Sequence, residues 1–180
     1  VLVGCLPTAA EDSAGPALLR DVARRLAGAA PDIRFLVGHG AVHGAAGEGG
    51  ITARLESVED PASVLGAFDI LLCPTPADGF DTIVLDALDA GVPVIAGRGG
   101  ALPELVPPEA GILVRDGARD EVAAAVLRLA TDTPRRREMA RAARAHASRY
   151  TARRLVSSYL RLYGSLGILR AGTSSARGSL

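Results

Sequence analysis

Two aspartates eight positions apart, Asp78 and Asp86, lie in the stretch "ADGFDTIVLDALDAGVPVIAGRGGALPELV", residues 77–106. An ionised carboxylate is purely an acceptor, so a pair of them at one crevice suits hydroxyl donors such as those of a diol. The residues around them read as a turn, "TPADGF", then a helix with Asp81 as its N-cap. The first backbone N–H groups of such a helix have no partner inside it, and that geometry suits a phosphate. A second strand, "VPVIAG", ends at Arg98, Gly99 and Gly100 and brings a further helix start, "LPELV", to the same side. A plainer reading of the residue types stays open: capping or surface acids, and glycines that only make turns.

The elements that must position these groups follow from the apolar pattern. The runs "VLVG" (1–4), "IRFLVG" (33–38), "DILLCP" (69–74), "VPVIAG" (92–97) and "GILV" (111–114) read as buried strands. Between them, "PALLRDVARRLAGAA" places Pro16 in a first helical turn and spaces Leu18, Val22 and Leu26 along one face. The helix "DTIVLDALDAG" turns Val84, Ala87 and Leu88 inward, stops at Gly91 and has Pro93 beyond. Nearly continuous apolar strands alternating with helices predict a doubly wound, Rossmann-like parallel α/β sheet of about six strands, with helices on both faces. Residues 51–58, "ITARLESV", are expected to add one strand at an edge.

From Asp116 the pattern is helical, with Thr133 expected to cap one helix and Thr151 the next. Arg135, Arg136 and Arg137 read as a solvated charge run, and His146 as a solvated histidine among arginines. Residues 167–180 lack apolar periodicity and are expected to be a mobile tail.

Composition excludes several chemistries. The chain has 180 residues, enough for one domain. Twenty basic and twenty acidic residues cancel, which gives no net pull toward nucleic acid or an anionic membrane. Every basic residue is arginine, so Schiff-base chemistry and a P-loop lysine are ruled out. No apolar run is long enough for an integral membrane segment. Cys5 and Cys73 end apolar runs and read as small core residues in a reducing, cytoplasmic setting.

Gly38, Gly40 and Gly44 in "FLVGHGAVHG" approach a dinucleotide fingerprint, but the "AAGEGG" that follows cannot supply the helix such a site needs. His39, His43, Cys5 and Cys73 lack zinc-ligand spacing, and no metal is expected. The chain opens without methionine on a strand-like run, the expectation for a piece of a longer protein.

Asp78-Gly79-Phe80, Asp86-Ala87, Gly91-Val92-Pro93-Val94 and Gly99-Gly100-Ala101-Leu102-Pro103-Glu104 together resemble the donor-binding core of retaining GT-B glycosyltransferases of family four. The likeness runs from Val1 to about Leu166 and implies a single C-terminal nucleotide-sugar domain over 1–166. Such a domain is normally paired across a cleft with an N-terminal acceptor domain, which is absent here. The resemblance implies a donor-binding half that transfers a hexose from a nucleoside-diphosphate sugar with retention. No cofactor is implied beyond that donor substrate. Asp78 becomes the catalytic candidate, in contact with the donor sugar's hydroxyls, and Asp86 the ligand of the nucleotide ribose. The amides after Phe80, at Asp81 and Thr82, would hold the diphosphate, while Gly38 to Gly40 and Ser57 to Asp60 would lie near the nucleotide.

The chain departs from that family pattern at its cations. Cys5 and Ala14 stand where the family carries an arginine and a lysine against the diphosphate, aspartate replaces glutamate at both acidic positions, and Asp81 stands where glycine is common. Two charge-assisted hydrogen bonds are worth roughly 1.5 to 3 kcal/mol each, against about 8 kcal/mol for micromolar binding. Arg98, beside the glycine turn, is the expected compensating cation, with Arg20 and Arg24 as further candidates. The alternative expectation is a degenerate binding or interaction module that kept the fold without the chemistry.

Overall fold

The computed structural model describes residues 1–6, 14–38, 53–54, 61–73 and 82–166. They divide into two units, Val1–Ala147 and Ser148–Leu180.

In the first unit the apolar runs form the strands β1 (Leu2–Cys5), β2 (Arg34–Val37), β3 (Ala53–Arg54), β4 (Ile70–Cys73), β5 (Val94–Gly97) and β6 (Gly111–Val114). They make one sheet in the order β3-β2-β1-β4-β5-β6, with every described pairing parallel. The two-residue β3 is the edge strand expected within residues 51–58. The order reverses between β1 and β4, and in open α/β sheets that switch point opens a crevice at the strands' carboxyl ends.

The connecting helices are α1 (Ala14–Leu26), α2 (Pro61–Leu65), α3 (Thr82–Ala90), α4 (Leu102–Leu105), α5 (Arg119–Thr131) and α6 (Thr133–Ala147). Successive strand residues point to opposite faces, so each strand feeds two cores. Val3, Ile70, Leu72 and Ile95 pack with Leu19 and Val22 of α1 and Val126 and Leu129 of α5. Leu71, Val94 and Ala96 pack on the other side with Val84 and Leu88 of α3 and Leu105 of α4. This two-faced burial explains why the strands read as continuous apolar runs rather than alternating ones. Gly4 is needed for space: a Cβ there would strike the ring of the buried Phe68.

The C-terminus of α3 is closed by a Schellman motif. The Gly91 N–H donates to the Leu88 carbonyl at 3.0 Å and the Val92 N–H to the Ala87 carbonyl at 2.8 Å. Gly91 has φ 75°, the left-handed region that favours glycine. Arg144 Nη2 of α6 donates to the Ala90 carbonyl at 2.8 Å, which fastens α6 to the end of α3.

Three expectations are corrected. Asp132, not Thr133, caps α6, since its Oδ1 accepts from the Arg135 N–H at 2.9 Å. Arg136 is not a solvated member of a charge run: its side chain is 13% exposed and donates to the Leu129 and Ala130 carbonyls at the end of α5. His146 is half-buried, with its Nε2 enclosed. Helix period reports a face but not which neighbour covers it, so the surroundings of Arg136 and His146 leave no local signature, whereas the α6 cap is a local contact shifted by one residue between two adjacent capping types.

The described part of the second unit is the helix α7 (Ala152–Ser165). Thr151 caps it as the sequence predicts, its side chain accepting from the Arg154 N–H at 3.3 Å.

Candidate functional site

The candidate residues divide by strand. β4 ends at Cys73 and α3 starts at Thr82, so Asp78, Gly79, Phe80 and Asp81 fall in the interval between them, outside the described residues. Gly40, His39, His43, Ser57 to Asp60 and the side chain of Ala14 also lie outside them.

Thr82 and Asp86 are described and both are exposed. They stand four positions apart on α3, hence on one face and about 6 Å apart along the axis. The same helix buries Ile83, Val84, Ala87 and Leu88. Its buried side fixes the helix and leaves the Thr82–Asp86 face presented on a rigid element. Because β4 is parallel to its neighbours and α3 follows it, the first turn of α3 opens at the carboxyl end of the sheet, beside the β1–β4 switch.

Gly38 follows β2 on the far side of β1. Its N–H donates to the Cys5 carbonyl at 2.8 Å, extending the β1–β2 ladder. A Cβ on Gly38 would meet Leu6 Cδ2 at 2.5 Å, the far end of a flexible side chain, while the nearest backbone atom, Leu6 Cα, is at an ordinary 3.5 Å, so packing alone does not require glycine here. Cys5 is 2% exposed inside β1, and neither it nor the half-buried Cys73 forms a disulfide.

Arg98 follows β5, with its N–H donating to the Val114 carbonyl at 2.8 Å. Its exposed side chain borders a groove of about 400 Å³ that Pro103, Val106, Arg128, Arg135 and Met139 also line. None of Gly38, Thr82 or Asp86 lines that groove. Arg98 also helps hold the Glu121 carboxyl below its ordinary value; the larger causes are the Arg115 N–H and then the Arg115 guanidinium. The structure therefore places Arg98 on the β5–β6 side, in an arginine-lined groove. Sequence reading could not find that groove, because Arg98, Arg128 and Arg135 come from three separate elements.

Among the described residues no group of three or more His, Cys, Asp or Glu could hold a metal ion. The described helix and strand ends thus offer hydroxyl-binding and amide-donor groups at the crevice, with cationic groups to one side of it.

Residues 3–132 match the family described as glycosyl transferases group 1. Among curated proteins, the chain is 34% identical over 106 residues to a D-inositol 3-phosphate glycosyltransferase of Saccharomonospora viridis, covering 58% of this chain and 25% of that protein. It is 36% identical over 100 residues to a GDP-mannose-dependent monoacylated alpha-(1-6)-phosphatidylinositol monomannoside mannosyltransferase of Corynebacterium glutamicum, covering 52% of this chain and 26% of that protein. The chain therefore spans about a quarter of the length of these relatives. Among solved structures, Anabaena HepE in complex with UDP-glucose superposes with a TM-score of 0.71 at 22% identity, over 93% of this chain and 49% of that one. That likeness shows the fold. With the matched segment running through all six strands and ending just past α5, the chain belongs to the glycosyl transferases group 1 family.

Proposed function

We propose that this chain is the donor-binding half of a family-four GT-B glycosyltransferase that moves a hexose from a nucleoside-diphosphate sugar with retention. The observation that carries the reading is the placement of α3. Its first turn opens at the switch-point crevice, and Asp86 stands on its exposed face above a fully packed base. A relative named for a GDP-mannose donor and a solved neighbour holding UDP-glucose support a nucleotide sugar as the ligand class.

In this reading the amides at the start of α3, from Thr82, receive the diphosphate, and the helix dipole favours its negative charge. Asp86 accepts hydrogen bonds from the ribose hydroxyls, and Asp78 accepts from the donor sugar. Stabilisation of the departing diphosphate does the catalytic work, and an acceptor domain or partner chain completes the cleft.

A second reading is favoured by one observation. Cys5, at the end of β1 where the family's arginine is expected, is sealed into the sheet core and brings no charge. A domain that had lost its donor site but kept its fold would look like this at that position.

Calorimetric titration of the chain with UDP, GDP, ADP and their sugar conjugates separates the two. Under the donor-site reading one nucleotide binds at micromolar concentration, and Asp86→Ala weakens it by roughly 10-fold or more, the loss of charge-assisted hydrogen bonds. Absence of binding up to millimolar ligand overturns the donor-site reading for this chain and supports the interaction module.

A further inference from the structure

We draw no further inference here: the strongest candidate, the groove that Arg98, Arg128 and Arg135 line beside the edge strand β6 and helices α4, α5 and α6, is open to solvent on a chain that spans about a quarter of the length of its relatives, and nothing in the structure shows what covers it.

Discussion

Helices α3 and α7 are built on the same amphipathic plan and meet different ends. In α3 the apolar side is sealed, with Ile83 at 8% and Val84, Ala87 and Leu88 at 0% exposure, while Thr82 and Asp86 face out. In α7 the apolar side is as continuous, yet Leu160 is 53% and Leu155 59% exposed. The periodicity of a helix states that it has an apolar face; only the surrounding chain states what covers that face. For α3 the cover is α6 and α2 together with β4 and β5 of the sheet, which makes the helix a rigid mount for polar groups at the crevice. In α7 no residue is buried.

The largest expected effect breaks or upholds that contrast directly. Leu88→Ala removes a fully enclosed side chain and is expected to cost about 2–5 kcal/mol, read as a shift of the urea midpoint by circular dichroism. Leu160→Ala removes a side chain of the same type from an open face, and its expected cost to the sheet unit is within about 0.5 kcal/mol. Equal losses from the two variants would mean that α7 is packed in solution as firmly as α3.

A second difference lies in how charges are tied. Arg136 spans three elements: it donates to the last carbonyls of α5, at 2.7 Å for Leu129, and its Nε lies 3.5 Å from Asp69 at the start of β4. Asp69 in turn accepts from the Leu2 N–H at 2.8 Å, so the chain of contacts reaches β1. Arg136→Ala leaves the carbonyl ends of α5 and a largely buried hydrogen-bond network short of their donor. Its expected cost is about 2 kcal/mol. Arg154→Ala on α7 is expected to change the same urea midpoint by less than about 0.5 kcal/mol, and a comparable loss would again tie α7 to the sheet unit.

Much of this was legible in the sequence for a physical reason. Buried parallel strands must be apolar on both faces, so five strands stood out as apolar runs, whereas the brief edge strand β3, Ala53–Arg54, carries no such run and lies within residues 51–58, where one further strand was only an expectation from position. The Gly91 stop was legible because few other residues adopt its φ of 75°. The role of Arg136 was not, since its partners at 69, 129 and 130 come together only when α5, α6 and β4 pack. The cap of α6 was missed by one residue because Asp132 and Thr133 are both good capping types. At the candidate site, the spacing of Thr82 and Asp86 on one helix face was readable, because four residues is local geometry. Arg98 was readable as a cation beside a glycine turn, yet its direction depends on α4, β6 and α5, which local sequence does not encode.

The smallest expected effect concerns a charge contact at the edge of the packed unit. The Glu121 carboxylate in the first turn of α5 accepts from the Arg115 N–H at 2.9 Å and pairs with the Arg115 guanidinium. These contacts, the backbone one first, hold its carboxyl below the ordinary value. A carboxyl depressed in the folded state contributes stability that is fully present above its unfolded value and disappears as pH falls through its folded value. The urea midpoint of the wild-type chain is therefore expected to exceed that of Glu121→Gln slightly at neutral pH, and the two are expected to converge in acid. The exposure of the pair, with the Arg115 side chain 80% and the Glu121 side chain 38% open to solvent, keeps the gap small, because solvent and salt screen it. A gap that persisted undiminished into acid would assign the contact to packing and neutral hydrogen bonding rather than to charge. It would then resemble the enclosed contacts of α3 more than the open, charged face of α7.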